Sequence, residues 1–307
     1  MLSVFFLGVS APRAEATTFL DGASQYSVFV QQSFTMTGSD SRGAVAAGTV
    51  MTLSTSGVSV ASGYAGTPPW SVVAGTSLNC PNGCTADGNI WARAETGTIY
   101  NNYSGGTNTI GGASGTDPID FSNQFTQLKN LSTSLSAMAT TSGDGCVLNY
   151  STITCTATKA GMNVIDIPAT GGAGVVTSAM LGQSGYSLVF NITAGYLVVN
   201  VAGGSSLALS SGSFTTNDVT KLLINYSSTT TSLTLGGTVD ASVLAPWAAV
   251  TSNANGQFTG NLIAQSYTGG GLEFENQLFN ELPEPGTFAM LGGGALLLWA
   301  ARRRARR

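Results

Sequence analysis

Between residues 17 and 281 the chain is a succession of short stretches in which apolar and small polar residues alternate, each closed by Gly, Ser, Asn or Thr. Tyr26-Ser-Val-Phe-Val30, Gly48-Thr-Val-Met-Thr-Leu53, Gly195-Tyr-Leu-Val-Val-Asn-Val201, Ser232-Leu-Thr-Leu235 and Gly260-Asn-Leu-Ile-Ala-Gln265 are examples. A period of two gives each strand one buried and one wet face, so one side must be covered by other strands. No strict repeat is visible. Many short strands with small residues at their corners still predict a mainly β chain, a β-solenoid (parallel β-helix) in which every coil buries its inner face against the next. A β-sandwich is the alternative, because alternation alone does not say which strands pair.

One segment has a different period. From Asp117-Pro118 to about Thr140, Phe121, Phe125, Leu128, Leu131, Leu135 and Met138 recur every three or four residues, the spacing of an amphipathic helix. Asp117 is the expected N-cap, Pro118 the first helical residue and Gly143 the stop. A lone helix with one apolar stripe is expected to pack along the side of the strand stack.

Composition excludes a good deal of chemistry. The 307 residues contain no histidine, and only 8% are Asp, Glu, Lys or Arg. A Ser-His-Asp or Cys-His nucleophile, a His-ligated zinc and a His proton shuttle are therefore ruled out. Of the eleven basic residues, five are Arg302, Arg303, Arg304, Arg306 and Arg307, so the rest of the chain is acidic. An acidic, weakly charged body does not suit phosphate backbones, and no nucleic-acid partner is expected.

Both ends read as addresses. Residues 1–16 carry an apolar stretch followed by the small-x-small pattern Ala14-Glu-Ala16, the later part of a secretory signal for signal peptidase. No basic residue precedes the apolar stretch, so the true start codon is expected upstream. Residues 282–307 hold Leu282-Pro283-Glu284-Pro285, the uncharged run Gly286 to Ala301, and the arginines. As a helix, sixteen residues span about 24 Å against the roughly 30 Å hydrocarbon core, a marginal crossing. Arginines beyond it favour the cytoplasmic side and put the body outside. The order Pro-Glu-Pro, short apolar helix and terminal arginines resembles the PEP-CTERM sorting signal of Gram-negative bacteria. That resemblance implies transient inner-membrane insertion, recognition by an exosortase, and release or re-anchoring at the cell surface or outside the cell.

Cys80, Cys84, Cys146 and Cys155 fall into two local pairs, and an even number in an exported chain reads as disulfides. One bond per pair is the simplest connectivity, with Cys80–Cys146 and Cys84–Cys155 also open. Zinc is the sharper alternative, but the spacings are not of the C-x₂-C type and no histidine supplements them.

The body, residues 17–281, resembles the choice-of-anchor A domain. The residues that carry the likeness are Tyr26-Ser-Val-Phe29, Arg42-Gly-Ala-Val-Ala-Ala-Gly48, the helix near 119–139, Leu223-Ile-Asn225-Tyr226, Val243-Leu-Ala-Pro246-Trp-Ala248, Gly256-Gln257, Gly260-Asn-Leu-Ile-Ala264 and Glu273-Phe274. Gly48-Thr49 replaces the family's usual Gly-Gly, and the acidic residue usual just before the Arg-Gly step is missing, the nearest being Asp40. The resemblance implies a surface-exposed adhesive solenoid.

Two functions are in play. The first is an exported, non-catalytic surface or matrix protein whose neutral Ser/Thr/Asn/Gly faces meet exopolysaccharide or another surface, with no catalytic residues, metal or cofactor. A variant is ice binding by a flat threonine face, for which Thr229-Thr-Thr231 and Thr215-Thr216 are too short and irregular. The alternative is a carbohydrate-active β-helix enzyme, a lyase or hydrolase, which needs convergent carboxylates. Asp40, Asp87, Glu95, Asp117, Asp120, Asp144, Asp166, Asp218 and Asp240 are scattered. Only Glu273 and Glu275 alternate on one strand face, near the domain end, where they are expected to be a solubilising cap. Asp40 with Arg42, and Asp87-Gly-Asn89, are expected to be solvated turns.

Overall fold

The computed structural model describes residues 19–55, 57–111, 117–210, 212–252 and 254–279. The expected cleavage residues Ala14 and Ala16, the sorting residues Pro283, Glu284 and Pro285, and the arginine cluster Arg302 to Arg307 lie outside them. The strands belong to the compact unit Leu20–Glu281.

Alternation produces strands as expected. Phe34–Thr37 buries Phe34 and Met36 and turns Thr35 and Thr37 outward, and Ser232–Leu235 buries Leu233 and Leu235. The ladders are parallel in nearly every case, so the architecture is a three-faced β-solenoid and not the sandwich that was the alternative. Long strands such as Val72–Ala86 turn the corners and contribute to all three faces. At one corner, a Cβ on Gly75 would collide with the Gly48 carbonyl oxygen and one on Gly48 with that of Gln31, so these corners stack only as glycines.

Spatial order departs from chain order. On one face the sequence of coils is 108–110, 90–92, 72–74, 45–47, 28–30, 262–264, 243–245, 222–226, 196–201 and 162–167. The chain therefore starts in the middle, winds to one end, and re-enters at the opposite end. It then winds back until Leu262–Gly270 lies beside Val28–Val30. Asn261, fully buried, clasps the two halves: its Nδ2 donates to the Ser24 and Tyr26 carbonyls (3.0 and 2.8 Å), and its Oδ1 accepts the Phe279 N–H (2.8 Å).

The helix Phe121–Ser136 makes the return journey, and at 1.5 Å per residue its roughly 24 Å covers four to five coils spaced about 4.8 Å apart. Its cap is Asp120, whose Oδ1 accepts the Asn123 N–H (3.0 Å), not Asp117, and it stops at Ser136, well before Gly143. Asp117 is instead taken by Arg93 (2.9 Å), and Pro118 precedes the helix. Phe121, Phe125, Leu128 and Leu135 are buried, and Phe29 stacks on Phe121 and Phe125 at 5.2 and 5.5 Å. Of the expected stripe, Leu131 is only half-buried, while Ser132 is fully buried. Ser132 Oγ donates to Asn225 Oδ1 (2.6 Å), and Asn225 Nδ2 donates to Asn200 Oδ1 on the next coil (2.9 Å). Asn200 Nδ2 in turn reaches the Leu135 carbonyl (2.7 Å).

At one end an antiparallel strand, Gly145–Asn149, closes the ladder against Thr152–Ala157 and covers what would be an open parallel edge. Cys146 and Cys155 face each other in that register and are disulfide-bonded; Cys80 and Cys84 form the second disulfide. Of the pairings left open by the sequence, the local one is the one formed, and no thiolate remains for zinc.

Candidate adhesive surface

The second face carries an ordered array. Register brings Thr96, Asn79, Thr52, Thr35, Thr268, Thr251, Thr234 and Ala208 into one row across eight adjacent coils. Several are the outward member of a triplet whose neighbours point inward, as in Phe34-Thr35-Met36, Met51-Thr52-Leu53 and Leu233-Thr234-Leu235, whereas Thr96 follows the exposed Glu95. At about 4.8 Å per coil the row extends roughly 34 Å. The neighbouring row is small throughout: Ala94, Ser77, Val50, then Ser266, Ala249, Ser232 and Ser206. No long side chain interrupts either row, so the surface is flat.

Threonine suits this position because its branched Cβ favours the strand and stiffens χ1, holding methyl and hydroxyl in fixed directions. Thr96 Oγ1 donates to Asn79 Oδ1 (2.9 Å), and the Thr234 and Thr251 hydroxyls lie 3.4 Å apart. Such a surface offers regularly spaced neutral donors and acceptors between methyl groups. It suits a ligand that is itself repetitive, uncharged and hydroxylated.

Sequence reasoning looked for threonines adjacent in the chain and missed this row. Thr215 and Thr216 lie on Ser213–Thr216 in a different, four-stranded sheet, and Thr229 and Thr231 lie at a corner. A partial signal was the apolar–Thr–apolar triplet, which marks Thr35, Thr52 and Thr234 but not Thr96, Thr251 or Thr268.

Most of the candidate carboxylates are engaged with structural partners. Arg42 does not form a turn with Asp40: its Nε lies 3.5 Å from Glu273 Oε1 and its Nη1 3.3 Å from Glu275 Oε2. Asp40 Oδ1 accepts from the Ser59 N–H and hydroxyl (2.8 and 2.9 Å). Glu273 and Glu275 are not at a solenoid end either, because Phe274 pairs with Ser41 in the middle of the stack. Asp166 accepts from Asn200 Nδ2 and Thr140 Oγ1 (2.9 and 2.8 Å), Asp144 from Thr158, and Asp87 from the Asn102 N–H. No group of three or more metal-ligating side chains occurs among the described residues.

A polar cavity of about 410 Å³ opens where Thr216, Asn217, Asp218, Asp240 and Thr259 meet. Partial burial pushes the Asp218 carboxyl up, but hydrogen bonds from Lys221 and Thr220 outweigh it and hold the carboxyl below its usual range. The Lys221 ammonium, 2.7 Å away, is held up in return. Asp218 thus stays ionised near neutrality and does not suit the proton-donor role that glycoside hydrolysis needs.

A family model described as "Putative Ice-binding-like adhesive domain" matches residues 19–276, and one for the PEP-CTERM protein-sorting motif matches residues 281–304. Among solved structures, an ice-binding protein from the Antarctic ascomycete Antarctomyces psychrotrophicus is similar, with 13% identity and a TM-score of 0.34 over 87% of this chain and 100% of that one. No curated protein matches.

Proposed function

Since the chain belongs to the ice-binding-like adhesive domain family and ends in a PEP-CTERM sorting motif, we propose that this exported surface adhesive protein adheres through its threonine face, without catalysis. The observation that carries the reading is the in-register row from Thr96 to Thr234. Its partner is a neutral polysaccharide, whose repeated hydroxyls match repeated Thr hydroxyls and whose C–H faces match Thr methyls. The acids support the non-catalytic part, since Asp40, Asp166, Asp218, Glu273 and Glu275 are committed to structural partners. Export follows a route at the inner membrane of a Gram-negative bacterium. Signal peptidase cuts near Ala14 and Ala16, the apolar run 286–301 inserts transiently, and exosortase acts at Pro283-Glu284-Pro285.

The experiment is adhesion of cells carrying Thr35→Val, Thr251→Val and Thr268→Val together. Valine keeps shape and strand preference and removes only hydroxyls, so attachment to polysaccharide should fall at least about tenfold with folding intact. Undiminished attachment would reject the face. Glu273→Ala with Glu275→Ala should leave attachment unchanged, and polysaccharide cleavage by the purified protein would overturn the non-catalytic reading. The same row favours a second reading, ordering of water against ice. Thermal hysteresis, lost in the triple valine variant, would support it, and its absence from the unmodified protein would reject it.

A further inference from the structure

A separate pocket lies near the N-terminal end of the helix, away from the threonine face. It encloses about 230 Å³ and is lined by Tyr26, Pro68, Pro69, Trp70, Asp120 and Gln124, among others. Trp70 is half-buried, which leaves part of its indole accessible. Gln124 is held by one end only: its Nε2 donates to Asp21 Oδ2 (2.7 Å), while its Oε1 is buried with no hydrogen-bond partner. Asp120 uses one carboxylate oxygen on the Asn123 N–H and keeps the other for a ligand.

These walls select a chemistry. The charged group in the lining is the Asp120 carboxylate, which favours a ligand that donates and disfavours an anion. No basic side chain lines the pocket, Lys129 being engaged with Gln31 Oε1 (2.9 Å). The aromatic and prolyl surfaces call for an apolar face on the same ligand. At about 230 Å³ the space is below the roughly 300–1,000 Å³ typical of drug-sized ligands, so it admits a single ring.

We propose that this pocket binds one neutral pyranose, its C–H face on Trp70 and its hydroxyls donating to Asp120. The assignment rests on the reading of the protein as a neutral-glycan adhesin but not on the threonine face, so the two fail independently. Together they would give a polysaccharide a discrete anchor in addition to an extended contact.

Calorimetric titration of the mature exported protein with glucose, galactose and N-acetylglucosamine, with glucuronate as the charged control, tests it. At least one neutral sugar should bind at one site per chain, and glucuronate about tenfold more weakly or not at all. Trp70→Ala should weaken binding about tenfold and Trp70→Phe by less than about threefold, since the flat ring is kept. Asp120→Asn, which keeps a helix-capping oxygen and removes the charge, should weaken it about fivefold. The threonine-face valine variant should bind the sugar unchanged. Failure of all three neutral sugars to bind, equal binding of glucuronate, or wild-type affinity in both Trp70→Ala and Asp120→Asn would overturn the proposal.

Discussion

Replacing Asn225 with alanine tests how the returning helix is held to the solenoid. The amide is fully buried and makes four contacts: Nδ2 donates to the Ser132 carbonyl (3.1 Å), Ser136 Oγ (3.1 Å) and Asn200 Oδ1 (2.9 Å), and Oδ1 accepts from Ser132 Oγ (2.6 Å). Ser132 Oγ keeps an alternative acceptor in the Tyr226 carbonyl (3.2 Å), so the main orphan is Asn200 Oδ1, on the neighbouring coil. An unsatisfied buried acceptor costs about 1–3 kcal/mol and the lost hydrogen bonds add about 1 kcal/mol, so the variant should lose about 3 kcal/mol. For a domain of this size that corresponds to a Tm lower by roughly 6–12 °C. Thermal and guanidinium unfolding, followed by circular dichroism, measure it. Asn225→Leu should do no better, because an apolar side chain still leaves Asn200 Oδ1 unpaired. A cycle with Ser132→Ala should show coupling of at least about 0.5 kcal/mol. A Tm shift below about 2 °C in Asn225→Ala would refute the idea that this amide fastens the helix.

Tyr226 makes the opposite case: its hydroxyl is buried without a partner, and Tyr226→Phe should stabilise the protein by about 1 kcal/mol in chemical denaturation at pH 7. Burial also pushes the Tyr226 phenol well above its usual range. A raised folded-state value means full stability below the unfolded value near 10 and loss as pH rises beyond it, so Tyr226→Phe should lose less stability between pH 8 and 11. For sorting, Glu284→Ala with Pro285→Ala should leave unprocessed protein in the inner membrane. Fractionation and mass spectrometry read this out, and normal maturation would reject recognition of that motif.

The residues that local pattern located were those whose partners are neighbours in sequence. Cys80 bonds Cys84 and Cys146 bonds Cys155 because a corner and a hairpin bring them together. The helix was visible through Phe121, Phe125, Leu128 and Leu135, but its start was misplaced. Asp117 and Asp120 are equally good caps in isolation, and the choice fell to Arg93, which binds Asp117 from a distant strand. Ser132 was invisible as a core residue, since only the Asn225 amide opposite it makes a buried hydroxyl favourable. The Arg42 pairing with Glu273 and Glu275 was hidden for a similar reason, being set by coil closure across more than two hundred residues of chain.

Local sequence was enough to specify that this chain makes short strands with one apolar face, has one helix of different period, works without histidine, and carries a PEP-CTERM sorting motif. Each of these depends on side-chain chemistry or spacing within one stretch of chain. Tertiary structure alone decided that the first and last coils are neighbours in the middle of the stack, with the helix carrying the chain between its ends. It also decided that threonines from coils as far apart as Thr35 and Thr268 form one row. A strand's period fixes which side chains face inward but not which strand lies beside it, because any strand of the same period offers the same backbone hydrogen bonds. The partner is chosen by the glycine corners, the Asn261 clasp and the Asn200–Asn225 ladder, which exist only once the coils are stacked.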